Sequence, residues 1–393
     1  MEFIVKRDPP LTFGTFIPHR KRTKLPIRVA QGRAYYCFWA RNALYLGLQA
    51  LGLKAGDSVL LPAYHCATAV EPFLAFGAKV NFYNVSKRGQ VDLEDVQAKI
   101  HAQTKALLVI HYFGLPQFLE PIMEICRTHG LKLIEDCAHV LEGEFQGIPL
   151  GGSGDISVFS WRKFLPVYDG GLLVVRDSLA GYEVPWTNMG KMFELKAWKN
   201  IVEKFHSATF LRRALHAANY FSHCLPLKKI GHVGSESSGN SINNYRMDFN
   251  YSNAFVPMTS ASKQIASNSD FASIVERRRQ NVAYFRQALK RFAPITLWWE
   301  PISDSIGPWA LPILVDGFPD VHLELRKRGI EAFTWGGVIH PTLPLENFPD
   351  AKFLYENLVL LPVHQGLTDK DKQYVIDNIG NIVNGEKGKR SDL

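Results

Sequence analysis

At 393 residues and 46% hydrophobic side chains, the chain is too long for one small core and carries enough apolar material for one large and one smaller domain. Its 45 Lys and Arg against 37 Asp and Glu leave a formal charge of +8, which suits a phosphorylated substrate, a nucleic acid or an anionic surface alike and selects none of them. Five cysteines without a CxxC pair argue against a disulfide framework or a structural zinc site, and no apolar run approaches the length that crosses a bilayer, so a cytoplasmic protein with reduced thiols, no metal and no membrane insertion is expected.

In chain order, Phe38-Trp39-Ala40-Arg41 leads into an amphipathic stretch that predicts a helix over 42–51. The free backbone N–H groups at such a helix start favour an anion, and Arg41 adds charge, although a plain N-cap explains the same residues. From residue 53 to 175, short aliphatic runs alternate with longer amphipathic stretches, the signature of βα units and a largely parallel sheet. The expected strands are 58–62, 79–83, 106–112, 131–135, 156–160 and 171–175, and the expected helices after the first are 67–76, 93–100 and 117–128. Leu-Gly and His-Gly pairs supply the stops of the first and last of these helices.

Three segments in this region carry chemistry. The strand end Leu61-Pro62-Ala63-Tyr64-His65-Cys66 delivers rings that can stack on a ligand or simply pack in the core. Leu133-Ile134-Glu135-Asp136-Cys137-Ala138-His139 is an apolar strand that ends in acids, where ligands sit in open α/β sheets; helix capping is the alternative for the Glu-Asp pair. Val158-Phe159-Ser160-Trp161-Arg162-Lys163 brings a lysine out of a buried strand into a loop, where partial desolvation favours a neutral, nucleophilic amine. Asp169-Gly170-Gly171 then allows a tight turn and a close backbone approach.

Beyond residue 182 the pattern changes. An irregular insertion over 182–245 is helical over 196–223 and Ser/Gly/Asn-rich over 231–244. One long charged helix is expected over 261–292, with Glu276 to Arg279 on its exposed side, and short strands and helices follow to residue 382. The expected division is a large domain, 1–250, with an N-terminal arm, and a small C-terminal domain, 251–393. The basic residues are not interleaved with aromatics in a recognisable module, so no nucleic-acid partner is expected.

Taken together, "RNALYLGLQALGLKAGDSVLLPAY", "TKALLVIHYFGLP", "LIEDCAH", "GDISVFSWRK" and "DGGLLVV" resemble the DegT/StrS family of sugar aminotransferases. The resemblance implies an α/β, aspartate-aminotransferase-like fold with a mixed, mostly parallel large-domain sheet and a smaller C-terminal α/β domain. It implies pyridoxal 5'-phosphate as cofactor, an amino acid such as glutamate as donor, a keto sugar, nucleotide-linked, as acceptor, and a homodimer with shared active sites. Carried over by residue, Lys163 forms the Schiff base and moves the proton, Asp136 holds the ring nitrogen, and His139 lies near the ring hydroxyl. Ser160, with the backbone of Ala40 and Arg41, takes the phosphate, and one of Tyr64, His65 or Cys66 stacks on the ring, His65 being the choice. Asn244, in "NNYRM", matches the residue that reaches the partner's phosphate. This chain departs from most relatives in the short spacing between Ser160 and Lys163. A pyridoxamine-dependent sugar dehydratase, or a non-catalytic cofactor- or sugar-binding regulator, is the alternative; the dehydratases replace the lysine with histidine.

Overall fold

A computed structural model describes residues 4–21, 32–179, 181–205, 249, 253–299, 305–318, 320–335 and 338–385. Its strands, in chain order, are β1 Gly32–Cys37, β2 Ser58–Pro62, β3 Lys79–Tyr83, β4 Thr104–Ile110, β5 Lys132–Cys137, a small hairpin of β6 Glu144–Phe145 and β7 Ile148–Pro149, β8 Ile156–Ser160, β9 Gly171–Arg176, β10 Ile295–Leu297, β11 Ala310–Val315 and β12 Leu358–Pro362. Seven of them form one sheet in the order β1-β9-β8-β5-β4-β2-β3. The pairings from β8 to β3 are parallel, whereas β9 runs antiparallel to both neighbours, so the sheet is mixed and mostly parallel.

Every residue of β2 and β8 is buried, as central strands covered on both faces require, which is why they read as continuous apolar runs. The helix Ala40–Ala50 packs on β8 and β9. There Gly47 matters: a Cβ on it would come within 2.3 Å of the Ile156 side chain, so helix and sheet approach closely. The helix Leu119–His129 ends at Gly130 in the left-handed conformation (φ 65°), the stop that the His-Gly pair predicts.

β10, β11 and β12 make a second, antiparallel sheet. A second apolar cluster surrounds it, drawing Val282, Phe285 and Leu289 from the helix Phe271–Leu289 and Val375, Ile376 and Ile379 from the helix Asp369–Gly385. Val5 joins this cluster from the other end of the chain, through a bridge to Ile330. No helix among the described residues is long and apolar enough to cross a membrane.

The structure corrects three expectations. The helix expected over 261–292 is two helices, Ser260–Asn268 and Phe271–Leu289, because Asp270 leaves helical geometry and its carboxylate accepts from the Ser273 N–H at 3.1 Å and hydroxyl at 2.7 Å, starting a new helix. Arg278, expected on an exposed face, is 1% exposed. The helix expected over 196–223 begins six residues earlier, at Gly190, and is described to Phe205; the rest of that stretch, the loop over 231–244 and Asn244 lie outside the described residues.

Asp169 ties the two halves of the chain together. Its buried carboxylate accepts from the Thr259 N–H at 3.1 Å and the Thr259 hydroxyl at 2.7 Å, and Thr259 is itself the N-cap of the helix Ser260–Asn268. Burial, opposed by those bonds, pushes its carboxyl from 3.8 up to about 6. A group that binds its proton more tightly folded than unfolded loses stabilising effect as pH rises, here between about 4 and 6. Asp169→Asn, which carries no such charge, is therefore expected to gain on the wild type by up to roughly 3 kcal/mol between pH 4 and pH 7. Urea denaturation of both proteins at the two pH values checks this, and a constant difference contradicts it.

Candidate active site

The topology brings Asp136, Ser160 and the backbone of Ala40 to one edge of the large sheet. Asp136, near the C-terminal end of β5, pairs with Val158, two residues before Ser160 ends β8. Ser160 pairs with Gly171 at the start of β9, and Gly171 pairs with Cys37 at the end of β1. A Cβ on Gly171 would lie 2.1 Å from the carbonyl carbon of Trp39 and 2.6 Å from the Ala40 nitrogen, so the start of the helix Ala40–Ala50 rests directly on the Gly-Gly turn. Gly170 N–H donates to Phe38 O at 2.8 Å and fixes that contact. Ala40, Ser160 and the Gly-Gly turn thus lie side by side. Because the obstruction is backbone, Gly171→Ala is expected to cost about 3 kcal/mol or more, in the range of a severe overpacking change, and to be read as a large fall in Tm; an unchanged Tm rules out the contact.

Lys163 follows β8 through a three-residue 3-10 turn, Trp161–Lys163, closed by Phe164 N–H on Trp161 O at 2.9 Å. The short spacing from Ser160 is thereby one tight turn directly off the strand. Its Nζ lies 4.7 Å from the centre of the Trp309 ring, and that ring stacks on His139 with centroids 4.4 Å apart and planes 8° from parallel. Lys163, Asp136 and His139 stand within one another's fields: the lysine charge pulls the Asp136 carboxyl down and the His139 imidazole down.

Asp136 is buried, and desolvation pushes its carboxyl up, against the pull of Lys163, the Ala138 N–H and His111. Its Oδ1 accepts from Ala138 N–H at 2.8 Å. His139 is buried too, and desolvation drives it well below the ordinary imidazole value, so the ring is neutral. Its Nδ1 accepts from the Phe113 N–H at 3.1 Å, which assigns the proton to Nε2, and that Nε2 has no hydrogen-bond partner. The Tyr64 hydroxyl nearby is also buried and unpartnered.

An aromatic wall encloses these groups. Phe113 stacks on His139 at 5.3 Å, Trp335 lies 5.1 Å from His139, and Tyr64 lies 5.0 Å from Trp335. Phe113 adopts a left-handed conformation (φ 58°), which costs a non-glycine residue about 1–3 kcal/mol and survives where the surroundings impose it. Here the imposition comes from both sides: its N–H donates to His139 and its carbonyl accepts from Trp309 N–H at 2.9 Å.

Two expected residues face elsewhere. The His65 ring stacks on Phe82 at 5.2 Å, its Nδ1–H donates to Pro62 O at 2.9 Å, and no hydrogen bond or ring contact of His65 reaches Asp136, His139 or Lys163. Tyr64 is the ring of that strand end which joins the aromatic wall. The Arg41 guanidinium turns to buried Glu71 at 3.5 Å and sits 4.2 Å from the Trp39 ring centre. Sequence reasoning missed Phe113, Trp309 and Trp335. Their signals are slight, a Tyr-Phe-Gly turn after β4 and tryptophans beside glycines in "IGPWA" and "FTWGG".

His111, Glu135 and Cys137 form the one cluster of metal-ligating type among the described residues. His111 and Glu135 are already committed to each other and to backbone N–H groups, so the cluster is a hydrogen-bonded support rather than a vacant ligand set.

A buried carboxylate, an imidazole N–H without a partner and an amine over an aromatic face are a donor set that fits a pyridine ring bearing a nitrogen, a hydroxyl and an aldehyde. Known structures share the fold that carries this arrangement. The chain takes the fold of the pyridoxal-phosphate aminotransferases: it superposes on the aminotransferase TlmJ of Streptoalloteichus hindustanus with a TM-score of 0.65 at 21% identity, covering 98% of this chain and 100% of that one. The PMP form of a putative sugar aminotransferase of Streptococcus pneumoniae gives a TM-score of 0.66 at 16% identity, over 99% and 100%. Residues 39–217, the segment that bears Asp136, His139, Ser160 and Lys163, match the model of the DegT/DnrJ/EryC1/StrS aminotransferase family. Among curated proteins it is 31% identical to GDP-perosamine synthase of Vibrio cholerae over 45% of this chain and 49% of that protein. It is 36% identical to dTDP-4-dehydro-2,3,6-trideoxy-D-glucose 4-aminotransferase of Saccharopolyspora spinosa over 34% and 36%. The chain thus spans half or less of the length of each of these two curated relatives.

Proposed function

We propose that this chain is a pyridoxal-phosphate-dependent aminotransferase that moves an amino group from an amino acid such as glutamate to a keto sugar, nucleotide-linked, and that it works as a homodimer. The observation that carries the reading is the convergence of Lys163, Asp136 and the unpartnered Nε2–H of His139 at one edge of the parallel sheet. When bound, pyridoxal phosphate supplies an aldehyde for amines and an electron sink for the carbanion formed at the donor's Cα.

The chain's own residues do the rest. Asp136 would hold a proton on the ring nitrogen, and a cation there would return this buried carboxyl to its ionised form. His139 would donate from Nε2 to the ring hydroxyl, Tyr64 rather than His65 would offer its ring to the cofactor, and the Ala40 and Arg41 amides with Ser160 would hold the phosphate. Lys163 would tether the cofactor and, when free, would take up and deliver the proton at its Nζ. The net charge of +8 suits a nucleotide diphosphate acceptor. Lys163 itself favours transamination over the dehydration that related enzymes perform with a histidine in its place.

The test is a visible spectrum of the purified protein with pyridoxal phosphate, followed as glutamate and then other amino donors are added. Loss of the cofactor band on addition of a donor, and its return with a keto acid, is the expected result. A protein that binds the cofactor and reacts with no amino donor is not an aminotransferase.

A further inference from the structure

Along the helix Phe271–Leu289 the buried positions are Phe271, Val275, Arg278, Asn281, Val282, Phe285 and Leu289, so Arg278 occupies an apolar stripe. An unpaired charge in such a place is costly unless every donor is used. Among the described residues no carboxylate bonds it, and Asp8 acts only through its field. Burial is the stronger influence and pulls the guanidinium down to about 9. What Arg278 does have is a set of neutral acceptors on three separate segments. Nη2 donates to Lys163 O at 3.3 Å, Nη1 donates to Pro308 O at 3.3 Å and Trp309 O at 3.1 Å, and Nε donates to Gln365 Oε1 at 3.0 Å. Gln365 in turn donates from Nε2 to Phe164 O at 2.7 Å, and the guanidinium lies 4.7 Å from the centre of the Phe164 ring.

The two carbonyls that matter belong to the two partners of one contact, since Lys163 Nζ packs over the Trp309 ring. A planar fork with donors fixed at set angles can hold both main chains at once; a lysine or an apolar side chain cannot. We propose that Arg278, backed by Gln365, is a positioning residue for Lys163: it locks the main chain of the lysine turn to that of Trp309 and places a positive charge against that turn. This rests on the reading of Lys163 as the reactive amine. A nucleophilic amine must shed its proton, and a neighbouring cation favours the neutral form. The main-chain lock comes from the C-terminal part of the chain rather than from the sequence around Lys163.

The test uses the full chain and the variants Arg278→Met, Arg278→Lys, Gln365→Leu and the Arg278→Met/Gln365→Leu double. Two rates are followed from pH 6 to pH 10. One is attachment of pyridoxal phosphate to Lys163, trapped with borohydride and located by peptide mass spectrometry. The other is acetylation of Lys163 by acetic anhydride in cofactor-free protein. In folded Arg278→Met both pH midpoints are expected to rise by roughly one unit, and attachment at neutral pH to slow by about tenfold or more. Arg278→Lys restores the midpoint but not the attachment rate, because it keeps the charge and loses the fork. Gln365→Leu moves in the same direction by less, and the double variant is little worse than Arg278→Met, because the two side chains act as one unit. Wild-type midpoints and rates in folded Arg278→Met overturn the proposal; if that variant does not fold, wild-type rates in Gln365→Leu do so. A wild type that attaches no cofactor at Lys163 overturns the reading of the site instead, and the acetylation midpoints still decide the role of Arg278.

Discussion

Lys163→Ala is expected to lower turnover by at least about 10²–10⁴-fold, the contribution of one well-placed general acid/base, with little change in Tm. The loss has two sources. On the proposed reading, the amine that would carry the proton is gone, and so is the tether for the cofactor. The fold has less at stake: the turn that bears the side chain is closed by backbone bonds from Phe164 and Leu165 to Trp161, and its contact with the Trp309 ring is a cation–π interaction of about 0.5–2 kcal/mol. The measurement is the rate at which glutamate discharges the cofactor band, with borohydride trapping on wild type and variant. A reducible band of equal strength in both proteins moves the role to another lysine.

How much of this was legible in sequence follows from distance along the chain. β2, β3 and β8 were expected with their observed bounds, 58–62, 79–83 and 156–160, because short apolar runs ended by Pro, Gly or charge have few other readings. β1 was not expected. It is an edge strand, half exposed, and "GRAYYC" carries neither a clean alternation nor an apolar run. The break at Asp270 was hidden because "SNSD" is weakly helical material between two strongly helical stretches, and only the cap geometry shows that a second helix starts there.

The site divides in the same way. Asp136, His139, Ser160 and Lys163 come from two neighbouring strands and could be read from the boxes that carry them. Trp309, Trp335 and Arg278 enter from positions more than a hundred residues later, and their roles exist only through tertiary contact. Arg278 left the clearer trace, an arginine in register with Val275, Val282, Phe285 and Leu289. The division at residue 250 remains a proposal built on chain order. Just past it, Ala254, Met258, Ala261, Ile265 and Phe271 belong to the same apolar cluster as β2, β4 and β8.

The neighbouring carboxylates Glu135 and Asp136 should respond to substitution in opposite ways, and the reason is in their partners. Glu135 faces away from Lys163 and is saturated: Oε2 accepts from Gly151 N–H at 3.0 Å and His111 Nε2 at 3.1 Å, and Oε1 from Ser153 N–H at 2.7 Å and from Gly154 N–H. That carboxylate organises the whole loop between the small hairpin and β8. Gly154 must be a glycine there, because a Cβ would meet the Ile156 carbonyl oxygen at 2.6 Å. Glu135→Ala strands three buried backbone donors and His111, a loss of about 3–5 kcal/mol. Against a total stability of roughly 5–15 kcal/mol, the variant is expected to unfold far more easily or to accumulate as insoluble protein. Asp136 keeps its carboxylate buried with one bond, to the Ala138 N–H, and its raised pKa means that the ionised form costs the fold stability at neutral pH. Asp136→Asn removes that cost, so it is expected to match or exceed the wild type in urea while losing turnover by about 10²-fold or more, the size of effect seen when one fixed electrostatic partner of a reacting group is deleted. Paired urea titrations and turnover assays on the two variants separate the roles. A stable, active Glu135→Ala, or an Asp136→Asn that unfolds early but keeps its turnover, contradicts the assignment of one carboxylate to the fold and the other to the chemistry.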